Sequence, residues 1–533
     1  MYKILVSDSL PPEILAKYDK TEGVSVINKS GISMDDLKKE IKDYDGLVVR
    51  SRTKATADIL AAAPNLKVIG RAGAGVDNID TVEATKRGII VMNTPGGNTM
   101  AATEHTIALL LAGLRNISPA NASMLRDEWD RKTYVGHELY QKTIGVVGLG
   151  KIGREVAKRL AAFDTKILGY DPIITSEAAT QLGIKLVSLD ELLEKSDIIT
   201  IHAPKMKETL NMINAANLKK CKDGVVFVNC ARGGIINEQD LLQALNDGKV
   251  GMACIDVFSS EPPADFTLAK HPKVLATPHL GASTEEAQVK VADQILDQMI
   301  EYFQKNVARH AVNFVSVEEE IQPRIAPFYT LAERMGTIFN QIKDGRLKEI
   351  SVRYYGTVLD VPVEPISAYL LVGALKTSGD AQNIEIVNPV NALTVARERG
   401  ISIELAKKDT PLTVHTNAIA CDFVTDKGKI HMAGSFVGKN IFHLIEYGDF
   451  KLSAELEGQL IIVENDNIPG IIGKIGTTLG EVNINISHMS SGRDGDAKKA
   501  LNVFAVQGNL PGDLKEKLEK IKGINAVRLA NVE

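Results

Sequence analysis

Ile144-Gly145-Val146-Val147-Gly148-Leu149-Gly150-Lys151-Ile152-Gly153 is the stretch that decides the fold. The apolar run reads as a buried strand, and the three loop glycines meet three needs: a tight turn, close approach of backbone to a pyrophosphate, and close packing of helix on strand. Ile152, Val156 and Leu160 recur at four-residue spacing, so a helix with one apolar face opens inside the glycine run. Its free N–H groups and dipole place phosphates at its N-terminus. The next strand, Lys166 to Tyr170, ends in Asp171, 23 positions after Gly148, close to the roughly 20 that separate loop and ribose acid in a dinucleotide-binding unit. A carboxylate there accepts from ribose hydroxyls and repels a 2′-phosphate, so NAD is expected over NADP. Alone the glycine run is a weak signal; strand, loop, helix and acid in order make it specific.

Working outward, strands at Lys3 to Val6, Gly46 to Val49, Lys67 to Ile69 and Ile89 to Met92 alternate with helical stretches such as Met34 to Lys42. Thr94-Pro95-Gly96-Gly97-Asn98 breaks this rhythm as a hinge, and a long helix follows from about Thr99 to Asn116. A second α/β series runs from Lys142 to Ala276, and a helix at about Ser283 to Lys305 crosses back to the first. Val317-Glu318-Glu319-Glu320 reads as a solvated linker. Beyond it, Asn388-Pro389 opens a helix that Gly400 closes. The last unit reads strand Gln459 to Val463, helix Pro469 to Leu479, strands Val482 to Met489 and Ala500 to Gln507, helix Pro511 to Ile521, strand Ala526 to Leu529. Leu514, Leu518 and Ile521 give its second helix an apolar stripe. The expected fold class is α/β: two Rossmann-like or flavodoxin-like parallel-sheet lobes, for substrate and for NAD, then an α+β intervening domain and a ferredoxin-like βαββαβ unit. The expected domains are 1–97 with 292–316, 98–291, 317–453 and 457–533.

The 533 residues allow about three or four domains. With 44% hydrophobic and 24% charged residues and a net charge of -5, the composition is that of a globular protein and argues against general nucleic-acid binding. The first residues read as a strand and not a signal peptide, and the longest apolar stretch, Ile107 to Leu114, is far short of the roughly 20 residues of a membrane span. Cys221, Cys230, Cys254 and Cys421 contain no CxxC pair, so neither a disulfide framework nor a metal site is expected and the compartment expected is cytoplasmic.

Three loops downstream carry charged residues just after apolar β runs, where parallel sheets bind ligands. Oxidising a secondary alcohol needs a base for the hydroxyl proton; His279, in Thr277-Pro278-His279-Leu280-Gly281, is the candidate. Glu261, in Glu261-Pro262-Pro263, would orient the imidazole and hold its charged form. Arg232, in Cys230-Ala231-Arg232-Gly233-Gly234, can grip a carboxylate through its bidentate fork. Singly, each has a plain alternative as a helix-cap or core histidine, a solvated loop acid and a surface ion-pair arginine; the combination outweighs these.

Together with Asp171 and Asp256-Val257-Phe258, these motifs resemble the D-isomer-specific 2-hydroxyacid dehydrogenases, and the likeness to their long members extends over essentially the whole chain. The resemblance implies that Arg232, Glu261 and His279 are catalytic. It implies NAD contacts at Gly148, Gly150, Lys151, Ile152, Gly153, Asp171, Cys230, Arg232, Asp256, His279, Gly281, Ala282 and Ala74, with Asp256 anchoring the nicotinamide amide. Position 203 is Ala where some relatives carry Thr, and no side-chain contact is counted there. A phosphate on the substrate needs cations outside the hydride-transfer centre: Arg50, Arg52 and Arg71 follow strands of the first lobe, Gly73 lies beside them, and Arg131 sits next to Trp129 in a region the resemblance implies to dimerise. The activity implied is oxidation of 3-phospho-D-glycerate, with another D-2-hydroxy acid, or a non-catalytic NAD-sensing role, as alternatives.

The final unit resembles an ACT domain, an amino-acid-binding module. The resemblance implies effector contacts at Asn465, Asn467 and Asn483, with L-serine as the effector, and a homo-oligomer; many relatives carry His or Tyr where this chain has Asn465. The middle unit resembles the intervening domain of the longer family members, with no motif that fixes a ligand.

Overall fold

The computed structural model describes residues 1–315, 317, 320–376, 387–412, 415–508 and 510–532. Glu318 and Glu319 of the expected linker lie outside the described residues. Strands Tyr2–Val6 (β1), Val24–Asn28 (β2), Gly46–Val49 (β3), Val68–Arg71 (β4) and Ile90–Met92 (β5) form a parallel sheet in the order β2-β1-β3-β4-β5, the flavodoxin-like order. β2, in which only Val24 is fully buried, is the strand the sequence pattern leaves unmarked.

The second sheet contains Thr143–Val147 (β6), Lys166–Tyr170 (β7), Lys185–Leu186 (β8), Ile198–Ile201 (β9), Val225–Asn229 (β10), Val250–Ile255 (β11) and Val274–Ala276 (β12), ordered β12-β11-β10-β9-β6-β7-β8 with all pairs parallel. This is a Rossmann order whose direction reverses between β6 and β9, and the crevice at that reversal is where such sheets take ligands. The returning helix spans Glu285–Lys305; it starts after Thr284 because that side chain accepts from the Ala287 N–H. Its apolar face closes onto the first lobe, and Met299 rests against Gly46 and Gly70, where an added Cβ would stand 2.9 Å from its Cε and 2.3 Å from its Sδ respectively.

A mixed sheet follows: Leu347–Tyr355 (β13), Ser402–Lys408 (β14), Ala418–Thr425 (β15), Lys429–Val437 (β16), Ile441–Tyr447 (β17) and Phe450–Glu455 (β18), ordered β14-β13-β15-β16-β17-β18. Only its β13–β14 pair is parallel. Helix Gln322–Ile342 lies on one face, with Phe339 stacked on Phe423. It also touches helix Glu364–Leu375 closely at Gly336, where a Cβ would meet the Leu370 carbonyl at 2.1 Å. The helix expected to open at Asn388-Pro389 instead begins at Ala392. Asn388 makes a turn ahead of it, Oδ1 accepting from the Val390 and Asn391 N–H groups, while its Nδ2 donates to Gly88 O in the first lobe. Gly400 closes the helix as expected, with φ 71°.

The last sheet holds Gln459–Asp466 (β19), Asn485–Arg493 (β20), Lys499–Gln507 (β21) and Ile524–Asn531 (β22), ordered β20-β21-β19-β22 and antiparallel throughout, in the expected βαββαβ sequence. β20 begins at Asn485, later than expected, because helix Ile471–Glu481 runs on and Asn483 turns the chain at φ 56°. Leu514 and Leu518 are fully buried and Ile521 partly so. Along β19, Leu460 and Ile462 join the core under helix Gln322–Ile342, while Ile461 and Val463 face the unit's own helices. Alternation on one strand thus welds the third and fourth sheets into one packed body. Among the described residues no helix is long and apolar enough to cross a membrane.

Candidate active site

The glycine loop between β6 and helix Lys151–Ala161 is built as its sequence demands. Gly148 has φ 90°, and a Cβ on it would stand 2.7 Å from the His202 carbonyl oxygen; a Cβ on Gly153 would stand 2.0 Å from the Gly148 oxygen. A Cβ on Gly150 would meet nothing within 4 Å, so open space lies in front of the helix. No side chain caps that helix, which leaves first-turn N–H groups to receive an anion. Asp171 stands at the end of β7; Oδ2 accepts from Leu149 N at 2.7 Å and Oδ1 from Ile173 N at 2.8 Å. Burial alone would raise its pKa, but these and the Ile174 N–H hold the carboxyl below its ordinary value, so it is charged at neutral pH. Uncapped helix, open glycine floor and fixed acid fit a dinucleotide.

His202 lies behind this loop with Nε2 2.9 Å from Thr200 Oγ1, and burial pushes its imidazole from 6.5 down to about 4. The folded chain keeps it neutral, whereas the unfolded chain takes up a proton below about pH 6.5. Stability is therefore expected to decline as pH falls from 6.5 toward 4, and His202→Gln to flatten that decline in thermal midpoints measured across this range.

Arg232, Glu261 and His279 come from the loops after β10, β11 and β12 respectively. His279 Nδ1 lies 2.6 Å from Glu261 Oε2, and Phe258 N donates to Glu261 Oε1 at 3.2 Å. Burial would raise the Glu261 pKa, but the His279 hydrogen bond and charge and the Phe258 N–H outweigh it and lower it. With Nδ1 committed to the carboxylate, Nε2 is the nitrogen left for a substrate proton. The loop itself hangs on buried Asp256: Oδ1 accepts from Thr277 Oγ1 at 2.6 Å and Leu280 N at 2.8 Å, Oδ2 from Gly281 N at 2.9 Å, and Asp256 O from His279 N at 2.8 Å. Both Asp256 oxygens are engaged in aligning the loop, next to where the resemblance puts the nicotinamide amide.

His105, from helix Thr99–Leu114, stands 3.2 Å from both Thr277 Oγ1 and Asp256 Oδ1, a placement nothing in its apolar helix announces. Its ring nitrogen, the Cys230 sulfur and an Asp256 oxygen lie within 4.8 Å of one another. Burial pushes the Cys230 thiol up to about 12, so it stays protonated and is no nucleophile at neutral pH.

The Arg232 guanidinium donates through Nε to Asp77 Oδ2 at 2.8 Å, across the cleft in the first lobe, and through Nη1 to Ala231 O at 2.6 Å. Arg71 donates to Asn78 Oδ1 at 3.1 Å and is pushed down to about 10 by burial first and by Arg232 second, still protonated at neutral pH. Its guanidinium covers Gly73, where a Cβ would stand 2.5 Å from Nη1, and Ala74 O accepts from Asn93 Nδ2. Arg50 donates through Nη1 to Ser9 O at 3.1 Å, and burial lowers its pKa. Arg52 is spent inside its own lobe, with Nε on Asp8 and its two terminal nitrogens on Ile32 O and Ser7 O. Arg52 is therefore engaged at three nitrogens, whereas Arg50 and Arg71 each donate to protein through one side-chain nitrogen among the described residues. Lys151 reaches Pro95 O of the hinge at 3.3 Å. Arg131 and Trp129 are exposed, Trp129 at 78%, and no hydrogen bond or ion pair between Arg131 and these cleft residues occurs among the described residues.

No hydrogen bond joins the three expected effector residues to one another among the described residues. Asn465 is buried, with Oδ1 accepting from Asn502 Nδ2 at 2.6 Å and Nδ2 donating to Asp466 O. Asn467, half-buried just after β19, donates to Ala497 O, and Asn483 serves the left-handed turn after the helix. The Asn465 amide is thus turned inward, 2% exposed, with its oxygen on Asn502 and its nitrogen on Asp466.

Residues 107–281 match the D-isomer specific 2-hydroxyacid dehydrogenase NAD binding domain, which defines the class: an NAD-dependent dehydrogenase of that kind. Residues 324–447 match the D-3-phosphoglycerate dehydrogenase intervening domain and residues 459–523 the ACT domain. The D-3-phosphoglycerate dehydrogenase of Bacillus subtilis is 36% identical over 100% of both chains, and that of Archaeoglobus fulgidus 40% identical over 98% of both. The chain belongs to the D-3-phosphoglycerate dehydrogenase family. Among solved structures, NAD-dependent formate dehydrogenase from Staphylococcus aureus in complex with NAD is similar at TM-score 0.54 and 30% identity, covering 60% of this chain and 100% of that one.

Proposed function

We propose that the chain oxidises 3-phospho-D-glycerate at C2 to 3-phosphohydroxypyruvate with NAD. The observation that carries the reading is the convergence of the Glu261–His279 pair, Arg232 and Arg71 in one cleft beside the glycine loop, in a chain whose full-length relatives bear that substrate in their names. NAD, held in this cleft, would supply the hydride acceptor for C2. His279 Nε2 takes the hydroxyl proton, and the charge that forms on the ring is met by Glu261 at Nδ1. Arg232 fixes the substrate carboxylate and Arg50 and Arg71 receive the phosphate. Gly148, Gly150, Lys151, Ile152 and Gly153 would hold the pyrophosphate of NAD and Asp171 its ribose, and Cys230, Asp256, Gly281, Ala282 and Ala74 would border its nicotinamide end.

The division into 1–97 with 292–316, 98–291, 317–453 and 457–533 completes the reading, although helix Glu285–Lys305 runs unbroken through the 291/292 boundary. The exposed cluster of Ile117, Met124, Leu125, Trp129 and Val135 supports a homo-oligomer, through which Arg131 would reach a neighbouring cleft. L-serine is the proposed effector of the ACT domain and the cytoplasm the proposed compartment. The test is NADH formation from a panel of 2-hydroxy acids with and without L-serine. Turnover of phosphoglycerate that serine inhibits is expected; no turnover of any member overturns the enzyme reading, and indifference to saturating serine overturns the regulation.

A further inference from the structure

We propose that Asp77 is a positioning residue for Arg232: a carboxylate of one lobe that aims the substrate-gripping guanidinium of the other. This rests on Arg232 being the carboxylate clamp. Asp77 lies in the loop after β4 and Arg232 in the loop after β10, so the pair exists only where the lobes meet. Asp77 holds Nε at 2.8 Å, and Ala231 O holds Nη1 at 2.6 Å; no protein hydrogen bond to Nη2 occurs among the described residues. A planar fork held at two of its nitrogens has a fixed orientation, and the remaining edge is the one presented to a ligand.

The chain backbone confirms how closely this seat is fitted. Gly75 lies directly under the fork: a Cβ there would stand 1.9 Å from Nη2, 3.0 Å from Cζ and 2.8 Å from Asp77 Oδ2. Any side chain at position 75 would lift the guanidinium off Asp77. The charges argue in the same direction. Asp77 stands among cations that a substrate bearing both carboxylate and phosphate must reach, and its own charge repels that substrate. A carboxylate in that place opposes binding by its charge, so its contribution is geometric. It also relieves repulsion between Arg232 and Arg71, since Arg232 lowers the Arg71 pKa and Asp77 raises it.

The experiment is steady-state kinetics of the full chain as wild type, Asp77→Asn, Asp77→Glu, Arg232→Ala and the Asp77→Asn/Arg232→Ala double variant, with NADH affinity measured by fluorescence. Asp77→Asn is expected to raise KM for 3-phospho-D-glycerate about 10- to 100-fold, the range of one charged hydrogen bond, with NADH affinity and thermal midpoint unchanged. Asp77→Glu is expected to recover part of the loss. In the Arg232→Ala background, Asp77→Asn is expected to cost less than about twofold more, because its partner is already gone. Losses that multiply in the double variant, or an equal fall in NADH affinity, would show a mere strap between lobes and overturn the proposal. A wild type inactive on every 2-hydroxy acid would overturn the function reading and Asp77's role with it; an active wild type with multiplying losses removes the role of Asp77 alone.

Discussion

His279→Ala is expected to lower kcat about 10³-fold, within the range that a positioned general base contributes, while NADH affinity stays nearly intact. The imidazole is held by Glu261 at 2.6 Å on Nδ1, and its loop by Asp256 through the backbone of His279, Leu280 and Gly281. Removing the ring removes the proton acceptor but none of those loop contacts, since Asp256 bonds the backbone and not the imidazole. The effect should therefore fall on kcat and kcat/KM alike, the sign of a group that acts in the transition state. Stopped-flow single turnovers with measured NADH titrations separate the two. A comparable loss of NADH affinity would mean that the ring shapes the cofactor site instead.

Arg232→Met is expected to lower kcat/KM by about 10²- to 10³-fold, the cost of leaving a substrate carboxylate and Asp77 without their cation. The substitution keeps an unbranched, uncharged stem and removes the guanidinium fork. Because Asp77 then faces the substrate unneutralised, the loss should exceed that of Asp77→Asn, and KM for the hydroxy acid should rise as kcat falls. NADH affinity is measured alongside: in the proposed reading the Arg232 guanidinium, held from the first lobe by Asp77, acts mainly on the substrate.

How much of this was legible in the sequence depends on whether the determinant is local. Strand, glycine loop and helix follow in an order that recurs whenever a strand turns into a phosphate-binding helix, so the glycine loop, Asp171 and the two parallel sheets could be read directly, although the contact of Gly148 with His202 could not. The placement of Arg232, Glu261 and His279 was legible because each follows an apolar β run that ends at the same edge of the sheet. Arg52 was not: a cation after a strand reads the same whether it faces the cleft or, as here, its own lobe's carbonyls. Asp77 and His105 act across lobes or between helix and loop, and their partners are 155 and 172 positions away. Asn465 misled for a different reason, since its burial against Asn502 is set by strand pairing that no local pattern reveals. The middle sheet joins β13 to β14 in parallel and to β15 in antiparallel fashion, and pairing at such range leaves only the periodicity of single elements in the sequence.

In the proposed function one cleft combines hydroxy-acid oxidation with phosphate recognition. The most direct measurement is kcat/KM with NAD for 3-phospho-D-glycerate against D-glycerate, which differ only by the phosphate. A preference of at least about 10²-fold for the phosphorylated acid is expected, the worth of two charge-assisted contacts from Arg50 and Arg71. Equal turnover of the two acids would contradict it.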